Sequence, residues 1–309
     1  GAPAPAYRGY RDTTYLALPV SRRFYAGPFL APPGGYPDGV HGTQGYNREV
    51  VGVEEAREGV REVAGLGASF VKIALDPSWD REDPVPMFDL AETRSIVQEA
   101  HDRGLRVRAH MIQIPYFPQA VAAGVDVIEH LPFPTGWPPV DTIRILMREG
   151  DPLGYFFREW HPQYGPLLES MAEAGTILVP TASALVSDYF VKEDPTLREQ
   201  FVVATIFDIV RQYRDLGGTI ALGNDYNGRG GREMLPMTEI RALLAAGLTP
   251  FEVLEAGTRN AALSCGQEDR LGTLEPGKLA DVLILEGDFF RDPELIARPR
   301  WIILDGEVV

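Results

Sequence analysis

Four ionisable side chains stand at the ends of short apolar segments that are far apart in the chain. They are Lys72 in FVKIA, His110 in RAHMI, His130 in IEHLP and Asp225 in LGNDY. An amine, two imidazoles and a carboxylate are the ingredients of a hard or borderline metal site, and zinc is the first candidate. A single histidine or lysine in such a place is more often packed or solvated than a ligand. The coincidence of four such residues is what favours a metal centre.

The segments that carry these residues repeat one pattern between about residues 47 and 225. Each has an amphipathic helical run, a glycine, a short run rich in Val and Ile, and a polar residue five to seven positions after the glycine. This spacing suits a helix end followed by one buried strand. The five glycines are Gly67, Gly104, Gly124, Gly175 and Gly218, and the polar residues are Lys72, His110, His130, Thr181 and Asp225. Alternating helices and buried strands predict a parallel sheet with helical crossovers.

Two α/β architectures fit this alternation, a doubly wound sheet and a (β/α)8 TIM barrel. No GxGxxG phosphate loop follows any of the strands, as a dinucleotide-binding sheet would require. The polar residues fall at the C-terminal strand ends, where barrel active sites lie. We therefore expect a TIM barrel over residues 1–265. Residues 266–309 have turns at EPGK and LDGE between short apolar runs, which predicts a small antiparallel β unit.

The composition argues against several classes of function. Asp and Glu number 44 and Lys and Arg 29, a net charge of −15, so we expect neither nucleic acid nor an anionic membrane surface as a partner. The single cysteine, Cys265, cannot form an internal disulfide. No run approaches the ~20 apolar residues of a membrane span, and the first residues lack the layout of a signal peptide. These features predict a cytoplasmic protein that acts on a small molecule.

From about Arg22 to its C-terminus the chain resembles the amidohydrolase superfamily, in particular its imidazolonepropionase-like and zinc-prolidase-like branches. The resemblance is carried by LTPFEVLEAGTRNAALSCGQEDRLGTLEPGKLADVLILEGDFF together with FVKIA, RAHM, AGVDVIEH, ILVPTAS and ALGNDY. The segment LGTLEPGKLADVLIL is a specific marker of the ancillary β domain of that superfamily. The order Lys, His, His, Asp matches its metal ligands on barrel strands four, five, six and eight.

This resemblance implies a binuclear centre in which Lys72, carboxylated by CO2, bridges two divalent ions. His110 and His130 would hold one ion, and Asp225 would touch the other. A water shared by two cations is deprotonated near neutral pH, so the implied reaction is attack of hydroxide on a linear or cyclic amide. Asp225 would act as general base and would pass the proton to the leaving nitrogen. Hydrolysis of an ester, lactone or phosphotriester on the same centre stays open.

One expected ligand pair is absent from the sequence. The superfamily places His-x-His at the end of strand one, and none of the five histidines forms such a pair. Counting back from Lys72 as strand four, RRFYAGPFLAP fits strand three and TTYLALP at best a remnant of strand two. We therefore expect that roughly 60 to 90 residues of a usual ~250-residue barrel and its appended sheet precede this sequence. The barrel formed by these residues alone would be open, and we expect it to form homo-oligomers.

Two other functions remain alternatives to hydrolysis. If the pair of histidines is truly missing, the protein would be a metal-poor binder of a small molecule without turnover. A lyase or isomerase that uses Lys72 as a free amine would leave His110, His130 and Asp225 without a role.

Further candidates line the expected pocket. Tyr36 and His41 lie in the loop after strand three, and Arg229 and Arg232 in the loop after Asp225 could bind a substrate carboxylate. Residues 133–167, an insert rich in Trp, Tyr, Phe and Pro that includes Trp137, form a candidate lid. Arg108 should point into the barrel, with a partner that the sequence does not identify, and Thr181 is expected to satisfy only a backbone group.

Overall fold

The protein is described as a computed structural model over residues 22–41, 45–77, 85–132, 161–186, 194–225 and 236–309. The strands within these ranges are β1 Phe29–Ala31, β2 Asn47–Glu49, β3 Phe70–Ala74, β4 Arg106–His110, β5 Val127–Glu129, β6 Ile177–Val179, β7 Thr219–Ile220, β8 Val282–Ile284, β9 Trp301–Leu304 and β10 Glu307–Val308. The helices are α1 Asp38–His41, α2 Gly52–Gly65, α3 Leu90–His101, α4 Phe117–Ala123, α5 His161–Glu173, α6 Ser183–Val186, α7 Leu197–Asp215, α8 Met237–Ala245, α9 Pro250–Gly257 and α10 Arg259–Ser264, with 3-10 turns at Ile114–Tyr116 and Pro293–Ala297.

Seven strands form one parallel sheet in the order β2-β1-β3-β4-β5-β6-β7. The register pairs Lys72 with Arg108 and His110 with Glu129. Paired residues of parallel strands point to the same face, so these four side chains share one face of the sheet. The alternation of strands and helices that the sequence predicts is confirmed, and each of the five predicted strands forms.

Local sequence explains where the helices begin and end. Three helices, α3, α7 and α9, begin with a capping box in which an Asp or Thr and a Glu three residues later satisfy each other's backbone N–H groups. Four of the five predicted glycines have the left-handed backbone of a helix end. In the fifth case Gly217 has this backbone instead of Gly218. Gly218 packs against Tyr213, and a Cβ there would lie 2.5 Å from its ring.

Apolar and charged side chains are distributed unequally over the two faces of the sheet. The face toward the helices is apolar over β1 and β3 to β7 and includes Leu30, Ile73, Ala109 and Leu178, all buried. On the edge strand β2 the same face carries Arg48, which pairs with Glu62 of α2. On the opposite face, Val127, Ile177, Val179 and Ala221 form a second cluster over β5, β6 and β7. The charged side chains lie on the same face but over β3, β4 and the end of β5, so the interior has an apolar half and a polar half.

Several sequence expectations need correction or lie outside the described residues. The strand β2 was not predicted, because Asn47–Glu49 carries no apolar side chain. The segment TPFEVLEAGTRNAALSCG forms two helices, α9 and α10, which meet at Thr258. TTYLALP lies outside the described residues, and so does the insert except for its last part, residues 161–167, which belongs to α5.

The C-terminal residues form the predicted antiparallel unit, a three-stranded sheet in the order β10-β9-β8. Its turn at Asp305 and Gly306 has the left-handed backbone that a tight hairpin requires. Leu283, Ile284, Trp301 and Ile302 of this sheet are exposed. No helix in the described ranges is both long and apolar enough to cross a membrane.

Candidate active site

One cavity of about 630 Å³ lies at the C-terminal ends of the parallel strands. Lys72, His110, His130 and Asp225, which are up to 153 positions apart in the chain, all line this cavity. His110 ends β4 and His130 directly follows β5, as the sequence predicts for strand ends. Lys72 is instead the middle residue of β3, and Asp225 lies five positions after the end of β7.

The two imidazoles are in direct contact. His110 is the last residue of β4 and His130 follows β5. Nε2 of His130 lies 2.8 Å from Nδ1 of His110, and the two rings meet edge to face with centroids 4.6 Å apart. Burial lowers the pKa of His130 from 6.5 to about 4. His130 is therefore neutral at physiological pH, which is the form that can bind a metal ion.

Tyr36 lies on the other side of His110. Its ring stacks on that imidazole with centroids 4.1 Å apart, so Tyr36 lines the cavity as expected. Burial and the charges of Asp225 and Asp76 raise the pKa of Tyr36 to about 12. The phenol consequently keeps its proton at neutral pH and can donate a hydrogen bond.

Lys72 is buried on β3, in contact with Phe29 and Glu129. Its Nζ contacts the Glu129 carboxylate and lies 5.5 Å from the centroid of the Phe29 ring. Its Nζ is enclosed and has no hydrogen bond of acceptable geometry within the described residues. Burial, and next the charge of Arg108, lower the pKa of Lys72 well below 10.5. A buried lysine of this kind has the neutral amine that reacts with CO2.

Arg108 and Glu129 form an ion pair that sequence reasoning missed. Nε of Arg108 donates to Oε1 of Glu129 over 2.9 Å, and the guanidinium stacks on Phe70 and contacts the sulfur of Cys265 at 3.7 Å. Glu129 thus contacts both Nζ of Lys72 and the guanidinium of Arg108. The available signal was the alternation of strands, since Arg108 stands two residues before His110 and Glu129 is the register partner of His110.

Three residues that follow strands of the parallel sheet, at the rim of the cavity, have a left-handed backbone. His130, Thr181 and Asp225 have positive φ angles of 74°, 49° and 45°, and they follow the consecutive strands β5, β6 and β7. Left-handed backbone is unfavourable for residues with a Cβ and is found mainly where function requires a particular side-chain direction. Thr181 uses this geometry to reach His130, with its Oγ1 2.6 Å from Nδ1. The expectation that Thr181 satisfies only a backbone group was therefore wrong.

The other candidate residues are not placed by the structure. Trp137, Arg229 and Arg232 lie outside the described residues, and so does the side chain of His41, although its backbone ends α1. The described wall of the cavity includes Phe24, Tyr25, Phe29 and Phe70.

The donor atoms fit a divalent metal ion in part. The buried amine of Lys72, two adjoining imidazoles and the Asp225 carboxylate face one cavity. Within the described ranges no three His, Cys, Asp or Glu side chains are grouped to hold an ion. A carbamate on Lys72 would add the oxygen ligands that an unmodified lysine lacks.

A parallel sheet with polar side chains at its C-terminal strand ends defines an α/β enzyme scaffold of the barrel type. The model of the amidohydrolase family matches residues 18–308, and the chain belongs to this family.

Individual relatives agree with this assignment. The chain is similar to imidazolonepropionase of Symbiobacterium thermophilum, with 30% identity over 203 residues, 64% of this chain and 38% of that protein. It is similar to ochratoxinase of Aspergillus niger, with 28% identity over 258 residues, 81% of this chain and 47% of that protein. The chain thus spans less than half the length of these relatives.

Solved structures confirm the barrel fold. A Xaa-Pro dipeptidase with bound methionine superposes with a TM-score of 0.74 at 23% identity, over all of this chain and 73% of that one. The structure of A. niger ochratoxinase also has a TM-score of 0.74, at 22% identity, over 99% and 70% of the two chains.

Proposed function

We propose that this protein hydrolyses a C–N bond of amide type in a small molecule and that it depends on a divalent metal ion. The observation that carries the proposal is the convergence of Lys72, His110, His130 and Asp225 on one cavity. The comparisons support this class of reaction: the chain matches the amidohydrolase family, and the similar proteins are named ochratoxinase, imidazolonepropionase and Xaa-Pro dipeptidase.

His110 and His130 would hold one ion, a carbamate on Lys72 would bridge to a second, and Asp225 would contact that second ion. Zinc suits this mixture of nitrogen and oxygen donors. When bound, such an ion polarises the carbonyl of the substrate and lowers the pKa of a water molecule.

Asp225 is the best placed of these residues to move a proton. Its carboxylate is exposed to the cavity and close enough to raise the pKa of both Tyr36 and His130. In the proposed reaction it takes a proton from the attacking water and delivers it to the leaving nitrogen. The protonated phenol of Tyr36, which lines the same cavity, can donate a hydrogen bond to the substrate.

The lining of the cavity indicates the kind of substrate. Phe24, Tyr25, Phe29 and Phe70 present apolar rings, which suit an amide with an apolar or aromatic substituent. Arg108 contributes a cation at the inner end of the cavity, but it is already paired with Glu129. We therefore propose a dipeptide-like or N-acyl substrate rather than a highly charged one.

The test combines elemental analysis with hydrolysis of Xaa-Pro dipeptides, N-acyl amino acids and a cyclic amide by the purified full chain. The Asp225→Asn variant should keep its metal and lose about 100-fold or more in kcat. Asp208→Asn is the matched control, because Asp208 is a buried aspartate on α7 that bonds to Tyr164 outside the cavity. Cleavage by Asp225→Asn within a few fold of the wild type would remove Asp225 as the base, and metal-replete protein without turnover of any amide would refute the proposal.

A further inference from the structure

A buried carboxylate lies behind the strained rim of the cavity. Glu239 on α8 is completely buried. Its Oε1 accepts the backbone N–H of Ala182 at 3.1 Å, and its Oε2 accepts the backbone N–H of Ser183 at 2.6 Å. These two N–H groups lie at the start of α6, where a helix has no internal acceptors for them. Glu239 therefore holds the two residues that directly follow the left-handed Thr181.

The hydroxyl of Thr181 determines which nitrogen of His130 carries the proton. Thr181 Oγ1 lies 2.7 Å from the carbonyl oxygen of Pro180, and a carbonyl can only accept, so the hydroxyl proton is directed there. The remaining contact of Oγ1, to Nδ1 of His130 at 2.6 Å, then requires Nδ1–H as the donor. In neutral His130 the lone pair is consequently on Nε2, the nitrogen that faces His110.

The contacts of Glu239 also extend, through Ser183, to the segment that carries Asp225. Ser183, whose N–H is held by Glu239, donates its hydroxyl proton to the carbonyl oxygen of Asn224 at 3.3 Å. Asn224 directly precedes Asp225, which has a left-handed backbone. Glu239 thus restrains one segment, Thr181–Ser183, which contacts both His130 and the residue before Asp225.

We propose that Glu239 is a positioning residue which, through Thr181, holds His130 with Nδ1 protonated and the Nε2 lone pair directed toward His110. The hydrogen bond that an outer residue makes to one ring nitrogen decides which nitrogen is left to bind a metal ion. The effect of Glu239 on turnover rests on the proposed function, whereas its effect on the tautomer of His130 does not.

The test reads the tautomer directly. Long-range proton–nitrogen NMR spectra of the 15N-histidine-labelled full chain contain signals from only five histidines, and a His130→Asn variant assigns the relevant one. We expect protonated Nδ1 and unprotonated Nε2 in the wild type and in Thr181→Ser. Thr181→Val, which keeps the shape but lacks the acceptor, should show a mixture of tautomers or protonated Nε2. In Glu239→Gln the side-chain NH2 group faces the backbone N–H of either Ala182 or Ser183, which then has no acceptor. The hydrogen exchange of that backbone amide should accelerate, and the His130 signal should shift.

Zinc binding gives a second readout that needs no substrate. Thr181→Val and Glu239→Gln should bind zinc about 10-fold or more weakly, the usual effect of removing an outer-shell partner, and Thr181→Ser should bind like the wild type. Thr205→Val and Glu99→Gln are the matched controls, because both residues are buried on helices outside this chain of contacts. Their His130 signal should be that of the wild type.

An unchanged His130 spectrum in folded Thr181→Val would overturn the tautomer assignment. Unchanged hydrogen exchange at the Ala182 and Ser183 amides in Glu239→Gln would show that Glu239 does not hold this segment. A protein that shows the expected tautomer but hydrolyses no amide would refute the proposed function and leave the positioning role intact.

Discussion

The phenol ring of Tyr36 lies almost flat against the imidazole of His110, with the ring centroids 4.1 Å apart and the planes 12° from parallel. On its other side His110 meets the edge of His130. His110 is thus held between an aromatic face and a second imidazole, and both restrict the rotation of its ring. Tyr36 itself comes from the loop after β1, 74 positions before His110.

Replacing Tyr36 separates packing from hydrogen bonding. We expect Tyr36→Phe to keep the metal content of the wild type, because the stacked ring remains. Tyr36→Ala should bind zinc less tightly, because His110 gains freedom to rotate. Calorimetric zinc titration of the two variants checks this, and equal affinities would show that the stack does not orient His110.

Removal of the Lys72 amine should abolish metal binding as well as activity. We expect Lys72→Ala to lose both, and added short carboxylic acids should restore part of each, because they can occupy the space of the proposed carbamate. Elemental analysis with and without propionate makes the comparison. His101→Ala is the control, since His101 is exposed on α3 and pairs with Asp126 outside the cavity. A wild-type metal content in Lys72→Ala would rule out the bridging role.

The ion pair between Arg108 and Glu129 should matter more for stability than an ion pair at the surface. Glu129→Gln leaves the part-buried guanidinium of Arg108 without a countercharge. We expect a cost of about 2 to 3 kcal/mol, between the values for an exposed pair and for a fully buried one. Glu294→Gln removes the partner of Arg241, an exposed pair at 2.7 Å, and should cost about 1 kcal/mol or less. Urea denaturation gives both values. Similar costs for the two variants would mean that Arg108 is solvated or paired elsewhere.

Ionisation of Glu239 should weaken the fold as the pH rises. Burial raises the pKa of Glu239 from 4.5 to about 7 in the folded protein, although its bonds to Ser183 and Ala182 act in the opposite direction. Between these pH values the folded state keeps a proton that the unfolded state has lost, so the free energy of unfolding falls as the pH rises. The loss is on the order of 3 kcal/mol and is complete above pH 7.

The Glu239→Gln variant isolates this contribution. It has no titrating group at this position, so the stability of the wild type minus that of the variant should decrease between pH 5 and pH 8. The opposing contribution of His130, whose lowered pKa makes stability rise with pH, lies between about pH 4 and 6.5, so the part of the decrease above pH 6.5 reports on Glu239 alone. Urea denaturation across this pH range measures the difference, and a constant value would contradict the raised pKa of Glu239.

The strands that bear the site could be predicted because their signals are local. A glycine with left-handed backbone ends each preceding helix, as at Gly104 and Gly175, and the apolar run after it has the length of one strand. The strand β2 gave no such signal, because it is a short polar strand held by its pairing with β1. Pairing partners are distant in sequence, and composition does not reveal them.

The sequence by itself determined the alternation of helices and strands, the family resemblance and four residues that line one cavity. Only the tertiary structure decided what surrounds those residues: Glu129 between Lys72 and Arg108, Tyr36 against His110, and Thr181 and Glu239 behind His130. The physical reason is that helix ends and strand periodicity depend on neighbours within a few positions. Burial, ion pairing and the proton position on an imidazole depend instead on side chains that only the folded sheet brings together.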